Sequence, residues 1–173
     1  MAAGFRIYNV LFLGMHNQAR SILAEALMNR LGAGRFEARS AGYDPAPAIS
    51  PHALALLHTI NVNTGRLAAK GVAAISGEHD PAFDFIVRLC PDRRSGARAR
   101  QFRGHPLTID WHLPDPCDAT GSSSRLAAAH ADIFSVLAGR IDVFANLPEG
   151  ALDSLNIRAR LERMGEDQLR LAS

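Results

Sequence analysis

The sequence predicts an α/β fold with a mostly parallel sheet, and three observations carry that reading. Val10, Leu11, Phe12 and Leu13 form a continuous apolar run, the pattern of a short strand buried on both faces. Leu23, Leu27 and Leu31 then recur at helical spacing over residues 21–31, and Gly32 and Gly34 supply the stop. Residues 36–41, closed by Gly42, make a second strand. The chain therefore opens as strand, turn, helix, strand, a βαβ unit whose crossover is normally right-handed.

The remaining elements follow the same alternation. Residues 51–60 read as a helix, with Ser50 as its N-cap and Pro51 in its first turn, where a missing N–H costs nothing. Residues 83–89 form a third strand and residues 107–109 a short fourth. A long helix is expected from about residue 123 to residue 145, carrying Leu126, Ala129, Ile133, Val136 and Leu137 on one side. Residues 148–165 read as one further amphipathic helix with Leu152, Leu155 and Ala159 on its stripe, packed on the core or on a partner. The expected organisation is a main domain over residues 1–147 and a helical extension over residues 148–173.

Composition narrows the function classes. With 47% hydrophobic and 21% charged residues, the chain has the balance of a globular protein. At 173 residues it buries roughly 70% of its unfolded surface and needs no disulfide or metal staple. Its two cysteines, Cys90 and Cys117, imply no disulfide framework and read as thiols of a reducing compartment, so the expected location is the cytoplasm. A net charge of +2 is too mild to argue for nucleic acid, and no apolar run is long enough to span a membrane. The histidines His52, His58, His79, His105 and His130 are scattered without ligand spacing, so neither a metal nor a cofactor is expected.

Ligands of open parallel sheets bind beyond the carboxyl ends of the strands. Gly14, Met15, His16, Asn17, Gln18, Ala19, Arg20 and Ser21 occupy that place, between the first strand and the first helix. Such a loop turns successive backbone N–H groups inward and adds the positive end of a helix dipole. Arg20 offers a planar, permanently charged fork suited to tetrahedral oxyanions, and Asn17 tolerates a left-handed backbone. A phosphate-, arsenate- or sulfate-like anion is the ligand class this points to. A Walker A loop is excluded, since no Gly-Lys-Ser/Thr ending is present. A polar strand-to-helix turn also occurs in βαβ units that bind nothing, so the local pattern leaves both readings open.

The run Val10 to Leu13 followed by Asn17-Gln18-Ala19-Arg20-Ser21 resembles the phosphate loop of the low-molecular-weight tyrosine phosphatase and arsenate reductase family, which carries Cys, five residues, then Arg and Ser or Thr. Further matches follow in order: Ser40-Ala41-Gly42, Leu89-Cys90, and Trp111 with Asp115-Pro116 in place of the family's Asp-Pro loop. Leu152-Asp153-Ser154-Leu155 and residues 158–165 resemble a tail of bacterial arsenate-reductase-like members. The resemblance spans nearly the whole chain. It implies a three-layer sandwich around a four-stranded parallel sheet in the order 2-1-3-4, with helices on both faces. It also implies a general-acid role for Asp115.

Six residues before Arg20 stands Gly14, at the place of the family's nucleophilic cysteine. Glycine has no atom that attacks phosphorus or arsenic, while Arg20 and Ser21, which would lower the thiolate's pKa, remain. Met15 and His16 replace residues that are commonly Thr and Gly. The expectation is a pseudoenzyme that binds oxyanions. Two alternatives stay open: turnover through His16 or Cys117, or a protein-interaction module whose pocket is idle. Cys90 matches a second redox cysteine of thiol-coupled reductases, but the third would fall near Ala97 and is absent. Arg93, Arg94, Arg98, Arg100 and Arg103 form a basic segment that reads either as a solvated loop or, with the tail helix, as a surface for an anionic ligand or protein partner. For Trp111, His112 and Tyr43 two readings stay open, walls of the pocket mouth or ordinary packing.

Overall fold

The computed structural model describes residues 6–91 and 102–167. Four strands, β1 (Tyr8–Gly14), β2 (Phe36–Gly42), β3 (Phe85–Arg88) and β4 (Leu107–Asp110), form one sheet in the order β2-β1-β3-β4. All three pairings are parallel, with Tyr8 opposite Phe36, Val10 opposite Phe85, and Phe85 opposite Leu107. The helices are α1 (Arg20–Leu31), α2 (Pro51–Thr59), α3 (Ser123–Ala145), α4 (Glu149–Leu152) and α5 (Ile157–Asp167). Order, direction and alternation are those the sequence implied.

Period-two alternation of the strands divides the core between two faces of the sheet. Val10, Phe12, Ala38, Phe85, Val87 and Ile109 face a large cluster with Leu23, Leu27, Leu57, Leu137, Ile141 and Phe144 from α1, α2 and α3. Leu11, Leu13, Ala41 and Ile86 face a smaller one, covered by a 3-10 helix at Val72–Ile75 and by Phe83 and Phe102. Phe144 touches Phe36, Phe85 and Trp111 edge-on, an arrangement that aromatic quadrupoles favour. On α3 the buried stripe is His130, Ile133, Leu137, Ile141 and Phe144, so Leu126 and Ala129 lie where the helix runs out past the core.

Three local expectations are corrected. Residues 148–165 are two helices rather than one. Asp153 turns away to bind Arg6 and the Tyr8 hydroxyl, and Ser154 Oγ bonds back to the Ala151 carbonyl, which breaks the helix between Leu152 and Ile157. Leu155 falls in that break and is fully exposed, while Leu152, Ile157 and Leu161 join the main cluster. The third correction is Ser50, which does not cap α2 with its side chain; its Oγ lies 2.9 Å from His130 Nε2 instead. The tail is held by Trp111, whose indole N–H donates to the Leu161 carbonyl at 2.8 Å, and by buried Arg140, which donates to the Gly165 carbonyl at 2.6 Å. No helix among the described residues is long and apolar enough to cross a membrane.

Candidate functional site

The loop from Gly14 to Ala19 leaves the carboxyl end of the central strand β1 and enters α1. Its carbonyls are tied outward. Those of Gly14, Met15, His16 and Gln18 accept from the N–H groups of Tyr43, Asp44, Ala46 and Ser50, all in the connection between β2 and α2. Because the peptide plane sets C=O and the following N–H in opposite directions, the N–H groups of Met15, His16, Asn17 and Ala19 turn the other way. None of them finds an acceptor among the described residues. The N-terminus of α1 is likewise uncapped, since Ala19 has no side chain that bonds to it. Together these donors make a concave nest with the sign that attracts anions.

Asn17 shapes the nest. It is buried and adopts a left-handed backbone with φ of 47°, as its residue type allows. Its Nδ2 donates to Ser21 Oγ and Ser40 Oγ, both at 2.9 Å, and its Oδ1 accepts from the Lys70 backbone N–H at 2.9 Å. Ser40 Oγ in turn donates to Glu25, whose carboxylate also meets Lys70 Nζ at 3.3 Å. Glu25 and Lys70 escaped sequence reasoning: Glu25 reads as an ordinary residue of α1, Lys70 lies far along the chain, and neither belongs to a local motif. Gly42, at the end of β2, lets the loop pass close by. A Cβ there would sit 2.7 Å from the Met15 carbonyl oxygen and 2.9 Å from the Asn17 nitrogen.

The nest curls around the side-chain direction of residue 14. A Cβ on Gly14 would stand 3.1 Å from Ser21 Oγ and 3.9 Å from the Asn17 nitrogen. The concavity lined by residues 14–21 and Asp115 is partly open and holds about one water molecule.

Arg20 and Asp115 close this space. Arg20 Nη1 donates to the carbonyls of Leu113 at 2.6 Å and Leu89 at 3.2 Å, and Nη2 donates to Asp115 Oδ2 at 2.6 Å. Arg20 is buried, and the Asp115 side chain is 10% exposed. The other Asp115 oxygen accepts from the Cys117 N–H at 3.1 Å and caps the 3-10 helix Pro116–Asp118. Sequence reading brought Asp115 and Arg20 to one site and gave the arginine fork to a tetrahedral oxyanion; the structure pairs it with the carboxylate.

The remaining candidates separate. Cys90 is buried at the end of the third strand's run. Cys117 stands beside Asp115, with its Sγ 3.6 Å from His130 Nε2. Burial first, and the Asp115 charge second, push its thiol up to about 11, so it stays protonated at neutral pH. His16 is partly exposed on the loop, its Nδ1 2.9 Å from the Asp44 carbonyl. Trp111 does not wall the pocket: it is wholly buried under α5. His112 is exposed and leans on Asp110, and Tyr43 packs against the smaller core cluster. Of the basic segment, Arg93, Arg94, Arg98 and Arg100 lie outside the described residues, and Arg103 binds the Glu78 and Asp80 carbonyls. Among the described residues no group of three or more His, Cys, Asp or Glu is placed to hold a metal.

A parallel 2-1-3-4 sheet with a loop of inward-turned N–H groups after its first strand and an Asp-Pro turn across from it defines the class of low-molecular-weight phosphatase folds. The chain belongs to the low molecular weight phosphotyrosine protein phosphatase family, whose sequence profile matches residues 9–142. Its fold is shared by arsenate reductase from Archaeoglobus fulgidus, at 23% identity and a TM-score of 0.62 over 80% of this chain and 99% of that one. An arsenate reductase in the phosphate binding state matches at 20% identity and a TM-score of 0.58, over 78% and 96% of the two chains. Vibrio vulnificus Wzb in complex with benzylphosphonate matches at 14% and 0.60, over 80% and 97%. No curated protein matches the chain significantly.

Proposed function

We propose that this chain is a catalytically degenerate arsenate-reductase- and phosphatase-like protein that binds a phosphate-, arsenate- or sulfate-like oxyanion without transforming it. The observation that carries the reading is the nest of unpaired N–H groups wrapped around residue 14, where that residue is glycine. Gly14 stands six positions before Arg20, at the family's nucleophile position. Fixed donors at a helix N-terminus bind tetrahedral oxyanions whether or not chemistry follows. Replacing a thiolate by glycine also removes a like charge that such an anion would face.

Neither alternative nucleophile fits the task well. The Cys117 thiol is held protonated and belongs to the turn opposite the loop. His16 has one ring nitrogen occupied by the Asp44 carbonyl and stands at the rim. Two relatives support the ligand class by what they hold: phosphate in an arsenate reductase, and benzylphosphonate in Wzb. A protein-interaction role with an idle pocket is favoured by one observation, the closed Arg20–Asp115 pair. The tail argues against it, because Leu152, Ile157 and Leu161 already spend their apolar faces on the core.

Thermal unfolding in rising phosphate, arsenate and sulfate decides between them. A ligand of the folded state at a hundred times its Kd stabilises by about 2.7 kcal/mol, so saturable protection is expected. Absence of protection by all three anions at millimolar concentration overturns the proposal.

A further inference from the structure

Arg20 has five N–H donors, and their present use dictates how an anion must enter. The two protons of Nη1 are taken by the Leu89 and Leu113 carbonyls, which belong to the ends of neighbouring segments and fix the guanidinium in place. The edge formed by Nη2 and Nε is the one left for a charged partner. Asp115 Oδ2 holds Nη2 at 2.6 Å, while its Oδ1 is steadied by the Cys117 N–H. One carboxylate oxygen therefore takes the Nη2 donor that an external oxyanion would use, while the other is tethered to its own turn. The small concavity beside the pair, partly open to solvent, has room for about one water molecule while Asp115 stands where it does.

We infer that Asp115 is an internal competing ligand: it occupies the anion edge of Arg20 at rest, and the oxyanion binds by displacing it. This rests on the reading of the loop as an oxyanion site and adds what governs its affinity. Removing one partner of a buried pair leaves the other charge uncompensated, and an arriving anion then restores the balance. In the resting protein, by contrast, part of the anion's binding free energy is consumed in moving Asp115 aside. Apparent affinity is reduced by the fraction of molecules that are closed.

The test is calorimetric titration of inorganic phosphate into the wild type, Asp115→Asn and Asp118→Asn. The asparagine at 115 keeps the shape and an acceptor for the Cys117 N–H but weakens the hold on Nη2. Asp118, on the same 3-10 helix, serves as a charge control, because its removal changes the net charge equally without touching the pair. Asp115→Asn is expected to bind phosphate at least about tenfold more tightly than the wild type, and Asp118→Asn within about threefold of it. If Asp115→Asn is unstable, Asp115→Ser retains a capping oxygen and takes its place. Binding by the wild type with no gain in Asp115→Asn, or an equal gain in both variants, overturns the competing-ligand role and leaves the oxyanion site standing. No binding by any of the proteins overturns the oxyanion reading itself, and this inference with it.

Discussion

Asn17 Nδ2 lies 2.9 Å from both Ser21 Oγ and Ser40 Oγ, so one buried amide ties the loop to the helix it enters and to the neighbouring strand. The same side chain accepts from the Lys70 N–H, so both amide donors and one of its two acceptor sites are used. Asn17→Ala removes all three bonds and retains an unfavourable φ of 47°. Each buried bond contributes about 1 kcal/mol net, so the variant is expected to lose roughly 2–4 kcal/mol in urea unfolding at unchanged m-value. A loss below about 1 kcal/mol contradicts the role given to this amide.

Gly42 and the loop backbone approach within a distance that a methyl group does not fit. A Cβ at 42 meets the Met15 oxygen at 2.7 Å and the Asn17 nitrogen at 2.9 Å, and both are main-chain atoms that move only with the loop. Gly42→Ala is expected to cost about 1–3 kcal/mol and to weaken phosphate binding together with stability. Wild-type behaviour on both counts means the loop is pliable where this structure has it rigid.

Cys117 is predicted to be a slow thiol. With its pKa raised from 9.0 to about 11, thiolate at pH 8 is about a hundredfold scarcer than for an ordinary cysteine. Iodoacetamide labelling of Cys117, followed by peptide mass spectrometry, should rise about tenfold per pH unit through pH 10. The linkage has the matching sign. The folded thiol binds its proton more tightly than the unfolded one, so its contribution to stability is intact below about pH 9 and is lost as pH climbs towards 11. A labelling rate that levels off below pH 9 shows an activated thiol and revives Cys117 as a nucleophile.

The residues also show what a sequence does and does not carry. β1, α1 and α3 were legible because their signals are local: an apolar run, a three-to-four spacing, Gly32 as a stop. The tail was misread as one helix because its break is caused by Asp153 reaching Arg6 and Tyr8, 145 or more positions away. The loop was legible from Asn17, Arg20 and its place after β1. The Arg20–Asp115 closure was not, since the two lie 95 residues apart and both also fit roles facing a ligand. Glu25, Ser40 and Lys70 became a support for Asn17 only once α1, β2 and the segment before the 3-10 helix were brought together. Trp111 stayed open between pocket wall and packing because an aromatic beside an Asp-Pro turn looks the same in sequence whether it faces ligand or core; the structure packs it.

The central claim is that the scaffold retains the anion loop and lacks the group that does chemistry. Hydrolysis of p-nitrophenyl phosphate by the wild type and by Gly14→Cys measures this most directly. The space around residue 14 admits the new side chain with a small shift of Ser21, 3.1 Å from the added Cβ, and the nest and helix dipole then favour its thiolate. The account predicts a silent wild type and measurable, thiol-dependent turnover in Gly14→Cys. Turnover by the wild type itself would contradict it.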